Sequence, residues 1–149
     1  MKGRILALPL VAVLALALVG QTLRWRHRME ASRGLRQVEL VSMAAAVRGE
    51  APPQLMSTNL EVLRRIAPMD PVEVGIPIAR GTQYLFLTRF DRAADSYQEA
   101  VALEPRPEGY LNLGRAQWFA GRRDEARLSF ATAVRLDPRL QSQVPQGAQ

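Results

Sequence analysis

Two stretches of the chain, 81–106 and 114–139, are copies of one another displaced by 33 residues. The displacement aligns Gly81 with Gly114, Phe86 with Phe119, Arg89 with Arg122, Asp91 with Asp124, Ala93 with Ala126 and Ser96 with Ser129. It continues through Ala100/Ala133, Val101/Val134, Leu103/Leu136, Pro105/Pro138 and Arg106/Arg139, while Tyr97 meets Phe130. Eleven identities are far more than unrelated segments of this length share, so the unit is duplicated. A repeat of this period is one supersecondary unit. It cannot bury its apolar face alone and must stack on its neighbours.

Each copy is patterned as two helices. In the second, Pro107 suits a first helical position, where its missing N–H costs nothing, and Tyr110, Leu111, Leu113, Gly114, Gln117 and Trp118 follow at helical spacing. Gly121-Arg122 breaks the run. Asp124 and Glu125 then favour the first turn of a new helix. Ala126, Phe130, Ala133, Val134 and Leu136 supply its apolar stripe, and Pro138 ends it. The first copy follows the same plan: a helix from about residue 76 to 87, a turn at 88–90, and a helix from 91 to 103 closed by Pro105. Helices joined by so short a turn must approach closely. Gly81 and Gly114 on the leading helices and Ala93, Ala100, Ala126 and Ala133 on the trailing ones permit that approach, with Tyr97 and Phe130 filling the space between.

At these residues the chain resembles the tetratricopeptide repeat (TPR) family. The second copy carries the family's pattern at Tyr110, Leu113, Gly114, Ala126, Phe130, Ala133 and Pro138, and the first at Gly81, Tyr84, Ala93, Tyr97, Ala100 and Pro105. Departures are Gln117 for an aromatic in the second copy, and Pro77 and Arg80 for large apolar residues in the first. The resemblance covers about residues 76–140. It implies an all-α, right-handed solenoid of helical hairpins, with repeats at about 74–106 and 107–139, that binds a protein or peptide partner without catalysis.

By position, the resemblance places Ile78, Thr82, Leu85 and Phe86 of the first copy on the family's inner groove. In the second copy it places Glu108, Leu111, Arg115, Trp118 and Phe119 there. Thr82, Glu108, Arg115 and Trp118 are the sharper candidates, because polar groups and a Trp on an inner face need a reason. The family's clamp for C-terminal carboxylates uses Lys and Asn at positions that here carry Ile78, Thr82 and Glu108. Only Asn112 fits, so the resemblance does not extend to that clamp.

Ahead of the repeats, 30–48 is another helical stretch, with Leu35, Val38, Val41 and Ala45 along one face, and a shorter amphipathic segment runs from 55 to 66. Met69-Asp70-Pro71 echoes Leu136-Asp137-Pro138, so residues 24–71 are expected to hold a juxtamembrane helix and a degenerate third hairpin. A short coiled coil of the 35–45 stripe with a second copy is the alternative. Residues 141–149, rich in Gln, are expected to be a flexible tail.

The N-terminus is apolar. Lys2 and Arg4 precede an uncharged run from Ile5 to Leu23 that is long enough, at about 1.5 Å per residue, to cross a hydrocarbon core of about 30 Å. Arg24-Trp25-Arg26-His27-Arg28 follows and suits a headgroup layer. Residues 1–23 therefore read as a single-pass membrane anchor, with a cleavable leader as the alternative. Orientation is contested by the residues themselves. Arg24, Arg26, Arg28, Arg33 and Arg36 place the body in the cytoplasm by the positive-inside rule, whereas the order of basic tip then apolar run favours export.

No cysteine is present, which excludes disulfides and thiolate sites. The formal charge of +6 invites nucleic acid, yet only one of twenty basic residues is Lys and the arginines are interspersed with acids, so no phosphate-binding face is expected. His27 is the sole histidine and lies among arginines. No nucleophile triad, phosphate loop or carboxylate pair can be assembled, and neither catalytic residues, cofactor nor metal are expected. The sequence thus points to a non-catalytic, membrane-anchored, bacterial-type TPR adaptor in an envelope assembly. A structural membrane subunit that forms a homo-oligomer and an exported soluble repeat protein are the alternatives.

Overall fold

The computed structural model describes the backbone of residues 3–148 and the side chains of residues 11–148. Among these residues all regular structure is helical: α1 (Gly3–Arg48), α2 (Pro53–Ile66), α3 (Gly75–Phe86), α4 (Phe90–Leu103), α5 (Pro107–Phe119) and α6 (Arg123–Leu136), with short 3-10 turns at 67–69, 138–143 and 146–148. Helices α3 and α4 form one antiparallel hairpin and α5 and α6 the next, and α4 packs on α5 to join them. The second half of α1 pairs with α2, and both lie against α3, which extends the stack towards the N-terminus.

The start and stop of each helix follow from local chemistry. Pro53 and Pro107 occupy first turns, and Asp91, Asp124 and Glu125 place negative charge at helix N-termini. Pro77 also falls in the first turn of α3, where its missing N–H costs nothing. The trailing helices end alike: Glu104 and Asp137 leave the helix in extended conformation, and each pairs with the arginine two residues on, Arg106 and Arg139.

The seams inside the two repeats are built alike. A Cβ on Gly81 would stand 2.8 Å from the Tyr97 ring, and one on Gly114 2.7 Å from the Phe130 ring. Any larger residue at either place pushes the aromatic out of a filled core. Tyr97, Ala93, Val101, Leu113 and Ala116 form the middle of the core. At the N-terminal end Leu35, Val38, Leu63, Ile66 and Ile76 form a second cluster. The 35–45 stripe is thereby spent on the chain's own hairpin. Leu35, Val38 and Ala45 are all buried, so that face is not available for pairing with a second copy.

Residues 141–149 require a correction. Through residue 148 they are not a loose tail: the 3-10 turns fold back over α6, and Leu140, Val144 and Ala148 are buried in one cluster with Leu111 and Phe130. The physical reason is the open end of the stack. Without a further repeat, α5 and α6 would leave Leu111 and Phe130 wet, and this segment covers them.

Helix α1 has two unlike halves. From Ala31 it packs on the body, whereas Val11, Val13, Leu14, Leu16, Leu18 and Val19 are more than half exposed. Among the described residues, no helix is long and apolar enough to cross a membrane. The start of the uncharged run, through residue 10, lies outside the residues whose side chains are described.

Candidate partner-binding groove

The residues proposed for a groove are distributed by the structure into three environments. Ile78, Glu108 and Asn112 line one cleft of about 360 Å³, with Val74, Glu104 and Arg106 at its rim. The cleft lies where the N-terminal turns of α3 and α5 meet the end of α4. Gly109 floors it, and a Cβ there would press on Val101 at 3.0 Å. Glu108 is exposed and Asn112 half-buried, so this part of the inner face combines an apolar wall with an accessible carboxylate and amide.

Thr82 is tied up. Its hydroxyl donates to the Ile78 carbonyl at 3.1 Å and lies 3.1 Å from the Tyr97 hydroxyl. Burial pushes the Tyr97 phenol above its ordinary value, with the Thr82 hydrogen bond and the Arg115 charge pulling the other way. Thr82 and Arg115 thus both bear on Tyr97, but Thr82 acts by holding it in place.

Arg115 and Trp118 face the C-terminal segment. Arg115 donates to the Gln143 side chain at 3.1 Å, and the rim of the Trp118 indole lies within 3.5 Å of the Cβ position of Gly147. Arg123 stacks over the other part of that indole, 3.7 Å from its ring centroid. These two side chains anchor the cap of the stack, so the open groove is the Ile78–Glu108–Asn112 portion. Leu111 is core, Phe86 and Leu85 are half-buried, and Phe119 is exposed but lies against Phe90, 5.3 Å between centroids.

Sequence reasoning missed two features that hold this face in place. A buried polar relay joins three helices: Asn59 donates to the Gln83 carbonyl oxygen (3.1 Å), and the Gln83 amide donates to Ser42 (2.8 Å). Gln83 follows Thr82 in sequence, about 100° further round α3, and its only signal was a polar residue where the helical period puts core. The second feature is Arg122, which binds Asp91 (2.6 Å) and so links the first turns of α4 and α6 across the hairpins. Among the described residues there is no cluster of His, Cys, Asp or Glu that could hold a metal ion, and no buried side-chain polar atom lacks a hydrogen-bond partner.

Residues 107–140 match the family model of the tetratricopeptide repeat. Solved TPR structures share the wider architecture. A thermophilic TPR protein of Thermus thermophilus, TTC0263, is 28% identical over 84% of this chain and 69% of its own, with a TM-score of 0.61. The second TPR of Spaghetti (RPAP3), solved with the HSP90 peptide SRMEEVD, is 20% identical over 79% of this chain and 98% of its own, at a TM-score of 0.59. The second TPR domain of human RPAP3, in complex with the HSP70 peptide SGPTIEEVD, is 18% identical over 79% of this chain and 91% of its own, again at 0.59. No curated protein matches the sequence. The chain is an all-helical stack of TPR-like hairpins, and the two RPAP3 domains among these neighbours are solved with bound peptides.

Proposed function

We propose that the chain is a membrane-anchored TPR adaptor that holds an extended segment of a partner protein along the Ile78–Glu108–Asn112 cleft, within an envelope assembly. The observation that carries the binding half of this reading is the cleft itself. It sets an apolar wall of Val74, Ile78 and Ala100 beside Glu108, Asn112 and the Glu104–Arg106 pair. Structural neighbours hold peptides, which supports a peptide as occupant. The acidic-tailed peptides in those complexes are poor guides to its charge. Glu108 here is exposed, and Glu104 is paired with Arg106, so a segment carrying a basic or amide side chain opposite Glu108 fits better.

The anchoring half rests on the exposed large apolar residues of α1 and on the uncharged sequence from Ile5 to Leu23. A single pass with the hairpins on one side follows, and a reporter fused after Gln149 reads which side. A photo-crosslinker at Ile78 in the full chain should capture a partner, and Glu108→Arg should weaken that capture about tenfold, worth about 1.4 kcal/mol. Equal capture from Ser57, on the side formed by α2, would remove the cleft from the mechanism.

A further inference from the structure

The two ends of the hairpin stack are not treated alike. The C-terminal end is closed by Leu140, Val144 and Ala148. At the N-terminal end the outer side of α1, away from α2 and α3, is left bare among the described residues. Leu40, Met43 and Val47 are 68%, 66% and 83% exposed, while Leu35, Val38 and Ala45 of the same helix are buried. At 100° per residue the two sets lie on opposite sides of α1, so the exposed set points away from the body. Their spacing of three and then four residues is that of a seam which receives a second helix. One turn and two turns nearer the N-terminus, the same side carries Arg36 and Arg33, both exposed. Neither is in any of the ion pairs found among the described residues, although Glu39 lies within a turn of Arg36.

We infer that this bare side of α1 is a second docking surface, separate from the cleft, and that its occupant is an amphipathic helix of another protein. That helix has apolar residues facing Leu40, Met43 and Val47 and acidic residues facing Arg33 and Arg36. An apolar stripe ending in unpaired arginines selects a partner by charge as well as by shape. A second copy of this chain fits poorly. This step rests on the anchoring reading above: two copies held in one bilayer run parallel, which sets Arg33 and Arg36 against their own counterparts. Three apolar side chains on one helix are enough to seat a helix but leave specificity to the charges.

The test uses the full chain in lipid nanodiscs and a fluorescent, helix-stapled synthetic peptide. Leucines at three–four spacing would face the seam, and glutamates would face Arg33 and Arg36. A twin peptide carries lysines in place of the glutamates. The acidic peptide should bind about tenfold tighter than its twin, and the double change Arg33→Glu with Arg36→Glu should reverse that order. Met43→Asp should weaken both peptides without changing helicity, because Met43 touches no core. An order indifferent to charge reversal, binding indifferent to Met43→Asp, or no binding of the acidic peptide overturns the proposal. A dimer in sedimentation that Met43→Asp dissolves assigns the face to a second copy and overturns it equally. Vesicle flotation of the same protein reports on the anchor alone, so the two failures are distinguishable.

Discussion

At the scale of single residues, the duplicated unit allows each position to be compared with its own copy. The turn between α3 and α4 closes with the Thr88 N–H donating to Leu85 (2.9 Å) and the Arg89 N–H to Tyr84 (2.8 Å). The turn between α5 and α6 closes the same way, from Gly121 to Trp118 (3.2 Å) and from Arg122 to Gln117 (2.9 Å). Both turns need a left-handed residue at the same place. The second copy supplies Gly121 at φ 81°, and the first supplies Thr88 at φ 54°. A β-branched residue there costs about 1–2 kcal/mol, which glycine avoids at the expense of a looser unfolded chain. Thr88→Gly should therefore stabilise the protein by about 1 kcal/mol, or raise the melting temperature by about 3 °C. The transfer in the other direction, Gly121→Thr, should destabilise by at least as much. Chemical unfolding followed by circular dichroism checks both; a Thr88→Gly variant that melts lower would mean the side chain supports the turn in a way that its single hydrogen bond, to its neighbour's carbonyl, does not account for.

At the scale of elements, the helices and their pairing could be read from the sequence because close packing leaves its mark at fixed intervals. Gly81 against Tyr97 and Gly114 against Phe130 are each a small residue opposite a large one, and the 33-residue displacement repeats both. The C-terminal segment was not read, although Leu140, Val144 and Ala148 fall on every fourth residue. Pro145 and the surrounding Gln residues hid that spacing, and the segment reaches its place through short 3-10 turns rather than a helix. The groove was half-read for a related reason. Helical position says which way Arg115 and Trp118 point, but not that residues about one repeat downstream will cover them. The consequence is measurable. Ending the chain after Arg139 removes Leu140, Val144 and Ala148 from the core, a loss of about 3–5 kcal/mol by area. It should also shift Trp118 emission to the red in a Trp25→Phe background, where Trp118 is the sole reporter. Unchanged stability and emission would return the segment to the status of a loose tail.

At the scale of the molecule, one uninterrupted helix joins two regions of unlike packing. The hairpin stack begins its core at Ala31 of α1, while Val11 to Leu23 of the same helix present Val11, Val13, Leu14, Leu16, Leu18, Val19 and Leu23 to the surroundings. Burying side chains of this kind is worth about 1.5–3 kcal/mol each, so seven of them amount to roughly 10–20 kcal/mol, the scale of a tight association. In water alone that surface drives association. Among the described residues, the ion pair nearest that half of the helix is the weak Arg28–Asp70 pair at 3.9 Å, and the buried core begins only at Ala31. Removing residues 1–23 should therefore leave the unfolding free energy of the hairpins within about 0.5 kcal/mol of the full chain, the range of surface changes that touch no core. The same truncation should abolish flotation with lipid vesicles and relieve association in the absence of detergent. A marked loss of hairpin stability on truncation would mean that the apolar half of α1 folds against the stack rather than into a bilayer, and the anchor would have to be abandoned.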